Sequence, residues 1–181
     1  MRVITGTARG TKLKTPEGEH TRPTTDRVKE ALFNIIQYDI YGTVLDLFAG
    51  TGQLGIEALS RGAEHAVFVD QRDDAVRLVR ENLRRTHLSD RAEIIKGDAL
   101  NYLVRCKKCF HLIFLDPPYA EKSLEIAIKS ISEIDILADC GIIVCERPAD
   151  KLMDLKIPGL VRVKDYRYGK TSFENCRLLR A

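Results

Sequence analysis

The chain has 181 residues, 30% of them charged, with 29 Lys and Arg against 26 Asp and Glu for a net charge of +3. That length suits one domain burying roughly 70% of its unfolded surface, and the composition excludes both intrinsic disorder and a histone-like polycation. The total conceals a pattern, because residues 1–38 carry +3, residues 39–146 carry −5 and residues 147–181 carry +5. Both ends are basic and the middle is acidic.

Five cysteines, at 106, 109, 140, 145 and 176, are an odd and scattered set. With no secretory apolar stretch after Met1-Arg2-Val3, they point to a reducing, cytoplasmic location. The longest apolar runs, 112–115 and 141–145, fall far short of the roughly 20 residues of a membrane span, so no membrane association is expected. No repeat, low-complexity tract or linker divides the chain. A single domain over 1–181 is expected, with a basic hairpin and connector in 1–20 and a helix plus an α/β core in 21–181.

In chain order, Arg2 to Thr5 and Lys12 to Thr15 read as two short strands around an Ala8-Arg9-Gly10 turn, a hairpin with Arg2, Arg9, Lys12 and Lys14 and no acid. Thr25 can cap a helix over about 25–38, with Val28, Leu32, Ile35 and Ile36 on one face. From Val44 apolar runs alternate with helical stretches. Strands are expected at 44–48, 66–69, 92–95, 112–115 and 141–145, and helices at 54–61, 73–86, 99–104 and 121–134. That beat means βαβ units, hence a mostly parallel sheet covered on both faces. Two final strand-like runs, 160–168 and 172–179, joined by Gly169-Lys170, predict an antiparallel hairpin at one edge, for seven strands in all.

Val44-Leu-Asp46-Leu-Phe48-Ala-Gly50-Thr-Gly52-Gln-Leu-Gly55 places a glycine-rich turn between the first buried strand and a helix. Asp70, 20 residues beyond Gly50, ends the next strand and is suited to accept from ribose hydroxyls. On glycine spacing a nicotinamide cofactor and S-adenosylmethionine fit about equally. Asp46 favours the second, since a carboxylate there repels a pyrophosphate but receives an α-ammonium. Asp98, followed by Ala99, lies at the same edge of the sheet and is either an acceptor for an adenine amino group or a helix N-cap.

Strand 112–115 runs into Asp116-Pro117-Pro118-Tyr119. Two prolines stiffen the loop and remove two N–H donors, leaving the Asp116 carboxylate and the Pro117 carbonyl as acceptors for an amine. Hydrogen bonds to those acceptors would favour a pyramidal nitrogen whose lone pair is free to attack, and Tyr119 offers a face on which an extruded base can stack.

These residues resemble the class I S-adenosylmethionine-dependent amino-methyltransferases with an Asp/Asn/Ser-Pro-Pro-aromatic motif. Three further blocks are similar to the bacterial small-subunit ribosomal RNA guanine-N2 methyltransferase family: Ile4 to Leu13, Thr21-Arg22-Pro23-Thr24-Thr25-Asp26-Arg27 on to Asn34, and Tyr168-Gly169-Lys170-Thr171. The resemblance spans essentially the whole chain. It implies a Rossmann-like class I fold, S-adenosylmethionine as cofactor, and 16S rRNA or an assembling small subunit as partner. The product would be N2-methylguanine. It also places Thr24 and Arg27 near the methionine end of the cofactor and gives Arg2, Arg9, Lys12, Lys14 and Arg22 a role in holding RNA. Gln53 departs from the small residue more usual between the second and third glycines.

A DNA adenine-N6 methyltransferase could use the same tetrapeptide but usually needs a target-recognition domain, for which 181 residues leave little room. An NAD-dependent oxidoreductase leaves Asp116 to Tyr119 unexplained. A non-catalytic RNA-binding module would use only the basic ends. Cys106 and Cys109 have no second pair at ligand spacing, so no metal is expected, and a monomer is the expected state. No nucleophile elbow or P-loop supports hydrolysis or phosphoryl transfer.

Overall fold

Runs of aliphatic and aromatic residues form seven strands of one sheet: β1 (Thr43–Asp46), β2 (His65–Asp70), β3 (Ala92–Lys96), β4 (Phe110–Leu115), β5 (Leu137–Pro148), β6 (Leu160–Tyr168) and β7 (Thr171–Leu178). The structure is a computed structural model and describes residues 1–16, 26–117, 123–150, 157, 159–168 and 171–178. The strand order is β3-β2-β1-β4-β5-β7-β6. The first five are parallel, and β7 inserts antiparallel between β5 and β6. Helices α1 (Asp26–Ile35), α2 (Gln53–Ser60) and α3 (Asp73–Thr86) pack their apolar stripes on one face, and α4 (Ala99–Arg105) and α5 (Ser123–Ile134) on the other. The mostly parallel, two-sided sheet with its antiparallel C-terminal edge is as the sequence implies.

Crossovers reverse direction between β1 and β4, the switch point at which open α/β sheets leave a crevice for ligands. No helix among the described residues is long and apolar enough to cross a membrane.

Three local expectations need correction. The N-terminal segment is not two strands. Only one antiparallel bridge forms, Arg2 with Lys12, because the N–H groups of Ile4 and Thr5 turn instead to the Glu57 carboxylate, at 2.8 and 3.0 Å. The first helix ends at Ile35 rather than 38, tightening into a 3-10 turn over Gln37–Asp39 where the Asp39 carboxylate accepts from Arg177 at 2.7 Å. Finally, β5 begins at Leu137, its register against β4 shifting between Phe110 and Leu112, with Cys140 at a φ of 63°.

The N-terminal loop is a docked part of the core. Val3, Ala8 and Leu13 are buried in the same cluster as α1 and α2. Glu57, fully buried on α2, also accepts from Arg61 Nε at 2.8 Å and faces Lys29 Nζ at 3.5 Å, while Lys29 donates to the Arg2 carbonyl at 2.6 Å. Burial lowers the Lys29 pKa and Glu57 opposes that shift. Removing Glu57 leaves a buried cation and two backbone donors without their acceptor, so Glu57→Ala should cost about 3–5 kcal/mol in urea unfolding. The Lys29→Met/Glu57→Met double variant should lose less than the two single changes together. A loss below about 1 kcal/mol for Glu57→Ala would show that this node does not hold the loop.

Candidate active site

Strand periodicity decides which residues meet at the carboxyl edge. Val44, Phe114 and Val144 pack toward α1, α2 and α3, whereas Leu45, Leu115 and Cys145 pack toward α4 and α5. Asp46, Asp116 and Glu146 continue the first set, so all three carboxylates belong to one face. The register pairs Asp46 with Phe114 and Leu115 with Cys145, which sets Asp116 beside Glu146 and Asp46 two residues lower on the neighbouring strand. They line a cavity of about 850 Å³ together with Phe48, Gly50, Asp70, Asp98, Ala99 and Pro117, large enough for a nucleoside cofactor.

The glycine turn is fixed to the strand ends by carboxylates. Asp46 Oδ2 accepts from Gly55 N at 3.0 Å, the third residue of α2, and so caps that helix from a distance. Asp70 Oδ2 accepts from Gly50 N at 2.8 Å and Oδ1 from Arg72 N at 2.9 Å. Gly52, the residue before the helix, has a φ of 76° that side-chain-bearing residues rarely adopt. At Gly55 a Cβ would lie 2.4 Å from the Phe68 ring. Gly52 shapes the turn from behind; it does not line the cavity. Asp98 is the N-cap of α4, its Oδ1 accepting from Asn101 N at 2.9 Å, and it also lines the cavity.

Gln53 sits at the start of α2 on the cavity wall, and its buried Oε1 has no hydrogen-bond partner among the described residues. An orphaned buried carbonyl beside a capping carboxylate asks for a donor from a ligand. A group carrying an ammonium, ribose hydroxyls and an adenine fits the donors' absence and the acceptors' presence along this wall: Gln53 and Asp46, then Asp70, then Asp98.

Burial dominates the electrostatics. It pushes the Asp46 carboxyl up to about 7, against the Gly55 hydrogen bond and with help from Asp70. Burial likewise holds the Asp116 carboxyl well above the usual carboxylate range, with Glu146 and Asp46 adding repulsion. Asp46 and Asp116 so placed resist ionisation until a cation enters.

The structure thus gathers Asp46, Phe48, Gly50, Asp70, Asp98, Ala99, Asp116 and Pro117 around one cavity. Arg27 is exposed on the first turn of α1 and does not line it. Arg22, Thr24, Pro118 and Tyr119 lie outside the described residues, as does the Gly169-Lys170 turn. Arg2 pairs with Asp26 at 3.4 Å and Lys14 with Glu81 at 2.6 Å, while Arg9 and Lys12 are exposed. Glu146 went unread in the sequence. Its only signal is that it is the first charged residue after the apolar run 141–145. Among the described residues no cluster of Cys, His, Asp or Glu has the arrangement of a metal site.

The profile of the family described as conserved hypothetical protein 95 matches residues 1–177. The chain belongs to this family. YlbH of Bacillus subtilis is 43% identical over 175 residues, covering 94% of this chain and 95% of that one. The Haemophilus influenzae protein named ribosomal RNA small subunit methyltransferase D is 35% identical over 180 residues, covering 92% and 93%. The solved structure of Escherichia coli yhhF superposes with a TM-score of 0.89 at 28% identity, covering 100% of this chain and 99% of that one. The family match over residues 1–177 agrees with the resemblance read in the sequence, and the architecture is that of the class I methyltransferases.

In the unfolded chain an aspartate titrates near 4; here Asp46 keeps its proton to about 7. The folded state binds the extra proton between those values, so this site's contribution to stability declines as pH rises from about 4 to about 7. Asp46→Asn retains an acceptor for Gly55 but cannot ionise. Its stability relative to the wild type should therefore increase between about pH 4 and pH 7 in urea unfolding, and parallel pH profiles would contradict the burial of this carboxyl group.

Proposed function

We propose that this protein transfers a methyl group from S-adenosylmethionine to the exocyclic N2 amine of a guanine in 16S rRNA of the small ribosomal subunit. The observation carrying this reading is the half-buried Asp116 carboxyl group beside Pro117, backed by Asp46 and Glu146, on the wall of a nucleoside-sized cavity at the switch point. The name of the Haemophilus influenzae relative, ribosomal RNA small subunit methyltransferase D, supports the same substrate class. Bound in the cavity, the cofactor supplies an electrophilic methyl on a sulfonium sulfur. Asp46 and Gln53 would hold its ammonium, Asp70 its ribose hydroxyls, Asp98 and Ala99 its adenine, with Phe48, Gly50 and the turn around Gly52 enclosing it; the family resemblance adds Thr24 and Arg27.

The N2 lone pair of guanine is delocalised into the ring, which makes the amine a poor nucleophile. Asp116 and the Pro117 carbonyl accept its two N–H bonds and favour a pyramidal nitrogen. The nitrogen becomes cationic as the new bond forms and then releases a proton, which an aspartate of raised pKa is suited to take on its carboxylate oxygen. Tyr119 supplies a stacking face worth about 1–3 kcal/mol.

The RNA surface extends beyond Arg2, Arg9, Lys12, Lys14 and Arg22. Arg85 Nε donates to the Lys12 carbonyl at 3.1 Å, and Lys14 and Asn82 exchange backbone and side-chain hydrogen bonds at 2.7 and 3.1 Å. The loop therefore joins the exposed Arg77, Arg80 and Arg84 of α3 to Thr15 and Pro16 on the cavity wall. Such a track suits a phosphate backbone.

Purified protein with labelled cofactor should methylate unmodified small-subunit particles or 16S rRNA, and nucleoside analysis should find N2-methylguanosine. N6-methyladenine as the sole product, or activity confined to DNA, would refute the reading. Asp116→Ala should lower the rate about 10- to 100-fold, the loss of one charged hydrogen bond, with RNA affinity retained. Loss of RNA binding instead would assign Asp116 to the interface. Arg9→Ala with Lys12→Ala should weaken RNA binding and reduce its log-log salt slope by about 1–2, leaving cofactor affinity unchanged; a fall in cofactor affinity would contradict this division.

A further inference from the structure

We infer that Glu146 reads the substrate base, accepting the N1–H of guanine while Asp116 and the Pro117 carbonyl hold the adjacent N2 amine. This rests on the proposed guanine methylation and adds what makes the base a guanine. Pairing of Leu115 with Cys145 sets Asp116 and Glu146 at the same level of neighbouring parallel strands, and both line the cavity. They share the sheet face that carries Asp46, and Glu146 is 6% exposed.

Two acceptors side by side match one edge of one base. Guanine presents N1–H and N2–H side by side, on two nitrogens both bonded to C2, and both are donors. Adenine presents a lone pair at N1 next to its amine, which would face a carboxylate oxygen. A site that presents an acceptor to a donor discriminates against an analogue with a lone pair at that position, because two acceptors then face each other. Asp116 alone does not separate the two purines, since both carry an exocyclic amine. The neighbouring acceptor does.

Glu146 takes no part in the proton transfer. One N–C bond forms at N2 as one S–C bond breaks, the N2 proton leaves toward Asp116, and N1 keeps its hydrogen throughout. Glu146 thus positions the base and selects it. Its pairing with Asp116 also explains a second acidic residue at the foot of a cavity that already holds Asp46: each carboxylate has its own donor in the bound state.

The test is a change of preference. Small-subunit particles are reconstituted with guanine or with 2-aminopurine at the nucleotide that the wild-type protein methylates. 2-Aminopurine keeps the N2 amine but has a lone pair at N1. Wild-type protein should favour the guanine particle about 10- to 100-fold in kcat/KM, the worth of one charged hydrogen bond. Glu146→Gln offers N–H from its amide and should close or invert that ratio, with cofactor affinity and melting temperature near wild type. A ratio unchanged by Glu146→Gln, or an equal fall on both particles, overturns the assignment. If the wild-type protein methylates no guanine at all, the functional reading itself fails, an outcome separable from the other two.

Discussion

A buried carboxylate is costly unless N–H donors or a positive charge meet it, and this fold sets Asp46, Asp116 and Glu146 on one face of the sheet within a single pleat of one another. Inside the protein the Gly55 N–H meets Asp46, and a positive charge entering the cavity adds to that compensation. A sulfonium cofactor with an α-ammonium brings positive charge to the lower carboxylate, and an amine that turns cationic as it reacts brings it to the upper pair. The cluster is unfavourable for the empty fold and complementary to the charge that develops in methyl transfer, as expected where a site is built for a transition state.

Rigidity around the cluster comes from the same kind of contact. Asp70 and Asp46 tie Gly50 and Gly55 to the ends of β2 and β1, so the glycine turn is positioned by two strands at once. Glu57 does the equivalent for the N-terminal loop, joining α1, α2 and residues 4 and 5 through one buried carboxylate. Met1, Thr15 and Pro16 of the loop line the cavity, while Arg9 and Lys12 are exposed. Under the proposed function, cofactor contact and RNA contact are separate surfaces of a single docked segment.

Much of this was legible in the residues. The βαβ beat placed every strand of the sheet to within a few residues, except that β5 begins earlier, because burial on both faces leaves continuous apolar runs bounded by polar turns. Asp46, Asp70, Asp98 and Asp116 announced themselves by following such runs. What could not be read was pairing. The Ile4 and Thr5 donors go to a glutamate 53 and 52 residues away, a choice set by tertiary packing and invisible to a local strand pattern. Glu146 was missed for the same reason, since its meaning depends on the β4–β5 register that sets it beside Asp116. Nothing local in the sequence links the α3 arginines to the cavity; the docked loop does, through the Arg85 hydrogen bond to Lys12. Asp98 showed that two readings of one residue can be compatible, since it caps a helix and lines the cavity.

The charge pattern of the chain acquires a physical meaning: the acidic middle contains the buried cluster, and the basic N-terminal end packs beside it. The most direct measurement is a carboxyl-carbon NMR titration of Asp46 and Asp116, with and without saturating S-adenosylmethionine. Both groups should titrate high in the free protein and fall when the cofactor is bound, as positive charge stabilises the ionised forms. Titration of either group in the ordinary aspartate range in the free protein, or midpoints that stay put on binding, would contradict a site organised around buried carboxyl groups that ionise when a cation enters.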